Sequence, residues 1–222
     1  MFLSPLRTLG LAAGVLALAA PAAAATTTYA QVYQLGMEKA LSYTAGATTT
    51  ISAVDVPADL VVFAFGPTGE YHDAKFSISA TSDMPLQIIP NQLNTVVLHP
   101  GFHGTLTLLG DNDVNYITIN FSNAVFSTFL GSSSGSLNAS QPCCGVDVSS
   151  NFLDINNLSL NNFALSFSGF TVPFQPDQSF SANVSGTFAG AIPEPGTWAL
   201  MIAGFGMVGV AARRRQSRAI VA

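Results

Sequence analysis

At 222 residues the chain has room for one β-rich domain with processing segments at its ends. Only 9% of its residues are charged, and they are unevenly placed: residues 26–190 hold two cations, Lys39 and Lys75, against eleven acids, a net charge of −9. A body that acidic, with no basic stripe, excludes nucleic acid as a partner and suits a soluble module or a divalent cation.

Residues 1–25 read as a secretory signal peptide. Arg7 supplies the positive start, Leu9 to Leu18 the apolar core, and Ala22 to Ala25 a small-x-small cleavage site. The apolar core is too short for a stable membrane span, which needs about 20 residues. The domain that follows, residues 26–190, is therefore expected to be exported through the secretion translocon and trimmed by signal peptidase.

Residues 26–45 fit a short helix or a strand, with Gly36 against the helix. From Thr48 onward the period is mostly two. Thr48 to Val54 and Asp59 to Phe65 read as strands with Pro57 at their joint. Lys75 to Thr81 alternates. Leu93 to Leu98 and Gly104 to Leu109 read as strands around a His-Pro-Gly turn. Val114 to Phe121, Ala124 to Leu130, Leu158 to Phe167 and Phe180 to Phe188 complete the set. Short β-branched and aromatic runs between Gly, Pro, Asn and Asp predict a mainly β fold: an antiparallel β-sandwich or barrel-like domain. Gly131 to Asn151 is Ser/Gly-rich without an apolar period and predicts a long surface loop.

Chemistry motifs are sparse. Gly131 to Gly135 spells G-x-S-x-G, but all three histidines, His72, His99 and His103, precede it, so the order of a hydrolase triad fails. Asp111, Asp113 and Asn115 open like a calcium loop, yet Tyr116 and Ser122 stand where an EF-hand needs Gly and Glu. They form a weak metal candidate beside the plainer reading of a turn. His99 and His103 are four apart, but Pro100-Gly101 between them forbids the helix that would pair them, so both read as turn histidines. Gly204 to Gly209 spells G-x-G-x-x-G with no acid following, which is a packing pattern within an apolar run. Cys143 and Cys144 are adjacent. They leave a vicinal disulfide, pairing to another chain, or free thiols open, in what reads as an irregular Pro-Gly loop. No residue takes a catalytic role in this reading, no cofactor is called for, and the chain is not expected to be an enzyme.

The end of the chain is the most specific stretch. Pro193, Glu194 and Pro195 are followed by Trp198 and Ala199, an apolar run, and the basic stop Arg213, Arg214 and Arg215. The prolines hold the approach extended. Trp198 to Ala212 would make a helix of about 22 Å, short for a hydrocarbon core of about 30 Å, with Trp198 at one interface and the arginines cytoplasmic. A transmembrane helix over about 196–212 is the expectation. This stretch, residues 191–218, resembles the PEP-CTERM sorting signal in its PEPxxWA variety, on Pro193, Glu194, Pro195, Trp198 and Ala199 with the arginines behind. That tail type also goes by the name of an ice-binding protein C-terminal domain, which describes the tail and not ice binding. The resemblance implies a Gram-negative bacterium with an exosortase as partner. It also implies an inner-membrane intermediate, cleavage near the Pro-Glu-Pro, and delivery to the cell surface or extracellular matrix, where exopolysaccharide and biofilm are made. The function expected of the delivered body is a non-enzymatic structural or adhesive one. The alternative is a carbohydrate- or calcium-binding surface module, and behind that a secreted hydrolase.

Overall fold

The structure is a computed structural model that describes residues 25–90, 95–140, 144–155, 158, 160–192 and 205–207. The chain divides into two units, Ala24–Gly196 and a second made of Met1–Ala23 with Thr197–Ala222. The first holds every described strand: β1 (Ala25–Gln34), β2 (Leu41–Thr44), β3 (Thr49–Val62), β4 (Gly69–Ser82), β5 (Gln87–Pro90), β6 (Thr95–Leu109), β7 (Asn115–Phe129), β8 (Ser134–Ser140), β9 (Val146–Ser149), β10 (Leu160–Ser168) and β11 (Phe180–Ile192). Every pairing is antiparallel.

Register reduces these strands to eight positions. Along β3, Gln34 lies opposite Ala58 and Thr44 opposite Thr50, so β1 and β2 lie end to end, interrupted at 35–40. Along β6, Thr81 lies opposite His103 and Gln87 opposite Leu98, so β4 and β5 share a position interrupted at 83–86. Along β7, Asn138 faces Val125 and Val146 faces Phe121, so β8 and β9 do the same around 141–145. Each position pairs with the next in chain order, β6 joins β7, and β11 returns to β1 with Ala25 opposite Ile192. The domain is thus an up-and-down eight-position barrel, whose closure leaves few open edges.

The period of two explains its two faces. Leu60, Phe76, Ile78, Leu106, Ile119 and Phe126 point inward and are buried. Each buried phenylalanine contributes roughly 1.5–3 kcal/mol. Outward-facing positions form hydroxyl and amide rows across strands, Ser52–Ser79–Thr105–Asn120 on one side and Ser185–Ser166–Ser136–Ser127 on the other. Apolar inside and polar outside is the reverse of a lipid-spanning barrel. Loops fill the two ends. Residues 169–179 bring Phe170 and Phe174 onto Phe180 at one end. At the other, where Ala25 and Ile192 meet, Phe152 packs between Tyr71 and Tyr116.

Several expectations are corrected. Among the described residues no helix is long and apolar enough to cross a membrane. Of the stretch 196–212 only residues 205–207 are described; they are helical, with Phe205 and Met207 exposed. The expected transmembrane helix, and the inner-membrane stage built on it, lose their support. The expected loop at 131–151 carries β8 and β9, because Leu137, Ala139 and Val146 still alternate inward between small polar residues. The expected His-Pro-Gly turn is a bulge within the continuous β6. Pro57 lies inside β3 rather than between two strands. The signal segment 1–24, Cys143, Pro193, Glu194, Pro195, Trp198, Ala199, Arg213, Arg214 and Arg215 lie outside the described residues.

Candidate functional site

The barrel end opposite Ala25 and Ile192 is shaped by a local defect. Pro100 brings no amide hydrogen to the ladder and Gly101 has φ +80, so the register of β6 shifts between His99 and Phe102. His99 lies on the inward side of this bulge, 2% exposed. The carbonyl oxygen of Met84 lies 2.8 Å from its Nε2. A carbonyl only accepts, so Nε2 carries the hydrogen and donates it. Nδ1 then holds the lone pair, which accepts the hydroxyl of Tyr43 at 3.2 Å. Ser82 Oγ donates to the Pro100 carbonyl at 2.7 Å and accepts the Met84 amide at 3.2 Å. The interruption 83–86 is thereby fastened to β6. Burial lowers the pKa of His99, against the opposing pull of the Met84 carbonyl. Burial also pushes the Tyr43 phenol up to about 12, with a hydrogen bond to Thr49 acting the other way.

Above this clasp lies a cavity of about 460 Å³, lined by residues 45–47, Thr49, residues 83–86, His99, Pro176 and Asp177. Its size suits a small ligand or one sugar unit, and Asp83, Asp177 and Thr49 give it polar groups. The histidine on its wall has both ring nitrogens engaged, Nε2 with the Met84 carbonyl and Nδ1 with the Tyr43 hydroxyl. A pH effect follows. With its folded pKa below the unfolded value near 6.5, His99 takes up a proton on unfolding, so stability is full above about pH 7.5 and falls as pH drops through that value. In thermal melts between pH 7.5 and 5.5, His99→Gln should lose part of the wild-type slope, since glutamine offers one donor and one acceptor but does not titrate. An unchanged slope would remove His99 as its source.

The residues singled out from sequence are dispersed. Cys144 is buried, with Sγ 3.3 Å from the Asn123 carbonyl oxygen. Asp111 and Asp113 sit in an exposed 3-10 turn between β6 and β7. Asn115 accepts the Thr118 hydroxyl at 2.9 Å. The Asp111 amide instead donates to the Asp73 carboxylate at 2.8 Å, and Tyr116 donates to the same group at 2.9 Å. The first of these bonds leads in holding the Asp73 pKa down, while burial pushes Tyr116 up to about 12. His103 is no partner of His99: it is exposed and its Nε2 lies 3.2 Å from Thr81 Oγ1. Sequence reasoning passed over Asp59, Glu70 and His72, whose ligand atoms lie within 4.8 Å of one another on the outer face of β3 and β4. Their spacing matches no motif, and only the pairing of the two strands unites them.

Residues 191–215 match the family profile of the PEP-CTERM protein-sorting motif. The matched segment starts on the last two residues of β11 and includes the Pro-Glu-Pro. No curated protein matches the chain, and no solved structure matches it. The chain carries the sorting motif of a PEP-CTERM protein, and its body is an exported, sorted, antiparallel β domain.

Proposed function

We propose that this chain is an exosortase substrate whose barrel performs a non-enzymatic structural or adhesive role at the cell surface or in the extracellular matrix of a Gram-negative bacterium. The observation that carries the proposal is the sorting motif at 191–215, which begins where the barrel ends. In this reading signal peptidase and the translocon deliver the body, and the exosortase cuts near Pro193-Glu194-Pro195. The barrel is well suited to a passive role: its interior is filled with side chains, and its outer surface offers uncharged Ser, Thr and Asn rows to hydrated polysaccharide. The test compares a tagged full chain in a host with and without its exosortase. A shortened body in the surface or matrix fraction is expected with the enzyme, and a full-length, cell-associated chain without it. Replacing Glu194 by alanine should mimic the deletion. Identical mass and fractionation in all three would overturn the reading.

The cavity beside His99 favours a second reading, a carbohydrate-binding surface module. Calorimetry of the purified protein with the host's exopolysaccharide, and separately with calcium, tests it. Heat with polysaccharide that disappears on filling the cavity by Gly46→Trp supports it, and silence with both ligands removes it.

A further inference from the structure

The outer face near the Ala25 end of the barrel carries a group of donors that the sorting role does not use. The register of β3 against β4 shifts between Ala58 and Leu60, with Ala58 opposite Ala74 and Leu60 opposite Tyr71. Asp59 alone therefore spans His72 and Asp73, the arrangement of a bulge that re-aims one side chain. Since Ala58 and Leu60 are buried, Asp59 points outward. Glu70, opposite Val61, shares that face with His72, two residues along β4. His72 Nδ1 lies 2.9 Å from Asp59 Oδ1, with side-chain exposures of 70% and 17%.

We infer that Asp59, Glu70 and His72 form a binding site for a divalent transition-metal ion, Zn²⁺ being the best fit. Three features support it. One nitrogen and two carboxylate donors lie within 4.8 Å of one another. Zinc bonds of about 2.0–2.1 Å in tetrahedral geometry place donors about 3.4 Å apart, and rotation of the exposed imidazole and of Glu70 supplies the remaining closure. The imidazole selects a borderline ion over calcium or magnesium, which take oxygen cages. The charge also fits: His72–Asp59 is the single ion pair among the described residues, so no lysine or arginine there neutralises the two carboxylates, and a dication does. Two strands of a closed barrel hold the donors, while water fills the open positions of the ion.

Titration calorimetry of the purified full chain with Zn²⁺ alone tests the inference. Wild type should take up zinc saturably at this site. His72→Ala, Asp59→Asn and Glu70→Gln should each weaken that event by more than about tenfold, the lower end of what even an outer-shell partner is worth. His103→Ala, which removes an exposed histidine elsewhere, should bind as wild type. Metal-free melting temperatures within a degree or two of wild type would show that the exposed substitutions leave the fold intact. Co²⁺ in place of Zn²⁺ supplies a second readout, visible absorption that His72→Ala should abolish or shift. Absence of saturable uptake, or uptake that His72→Ala leaves unchanged, overturns the site.

Discussion

Replacing Phe126 with alanine should lower the unfolding free energy by about 3–5 kcal/mol. Phe126 is fully buried on β7, between His99 of β6 and Leu137 of β8. Its ring centroid lies 5.2 Å from that of Tyr43, 5.9 Å from those of Phe167 and Phe174, and 6.2 Å from that of Phe180. These rings come from four other parts of the chain, so the void has no single neighbour free to fill it. With total stability on the order of 5–15 kcal/mol, the loss is a large share. Urea unfolding reads it as a lower midpoint at unchanged slope. Phe129, on the same strand but 48% exposed, is the matched control, and its alanine variant should stay within about 0.5 kcal/mol of wild type. Equal effects at both positions would mean that the barrel interior does not carry the stability.

The second large effect is expected at Gly104. A Cβ there would sit 2.0 Å from the carbonyl oxygen of Ser79 and 2.7 Å from the Cα of Ala80. Both are backbone atoms, so no side chain can rotate away. Gly104 pairs with Ala80 on one side and Phe121 on the other, and the close approach marks a sharp corner of the barrel, where glycine in a strand is expected. Gly104→Ala must push β4 from β6 and should cost at least about 3 kcal/mol, the upper end of ordinary overpacking. Gly46→Ala, whose nearest contact would be the Thr48 carbonyl at 3.4 Å, should be close to neutral. Melting temperatures of the two variants decide the matter, and a wild-type value for Gly104→Ala would show that the strands lie farther apart.

Strand content was legible because burial on one face leaves a period of two. Lys75 to Thr81 and Phe180 to Phe188 lie within β4 and β11 for that reason. Interruptions were misread wherever a strand changes neighbours. Pro100-Gly101 has the chemistry of a turn, yet β7 pairs along both halves of β6 and holds it straight through the bulge. Pro57 survives within β3 close to the register shift at Ala53–Val56, where the ladder is already irregular. Ser134 to Ser140 conceals a strand because two inward residues, Leu137 and Ala139, carry its alternation. Whether the sheets form a sandwich or a barrel depends on β1 meeting β11, which no local pattern encodes. The same holds for His99 and Tyr43, 56 residues apart, and for Asp59 with His72. The apolar C-terminal run suggested a membrane helix through its hydropathy, Trp198 and the arginine stop, while its sorting motif was readable because it is contiguous.

The pairing of β1 with β11 also sets a timetable. Residues 25–28 have partners only on β11, so the start of the domain stays unpaired until the end has been made. Tyr33 and Ser185, partners in that pairing, are about 150 residues apart, a wait of roughly 8–30 s at ordinary synthesis rates. During that interval the ring cannot close, and an unclosed chain is what a narrow secretion pore accepts. The wait ends as Ile192 is added, and the address follows at once. The closing strand and the sorting motif that starts on its last two residues are both made last, so a chain broken off before that point lacks a sealed barrel and the sorting motif together.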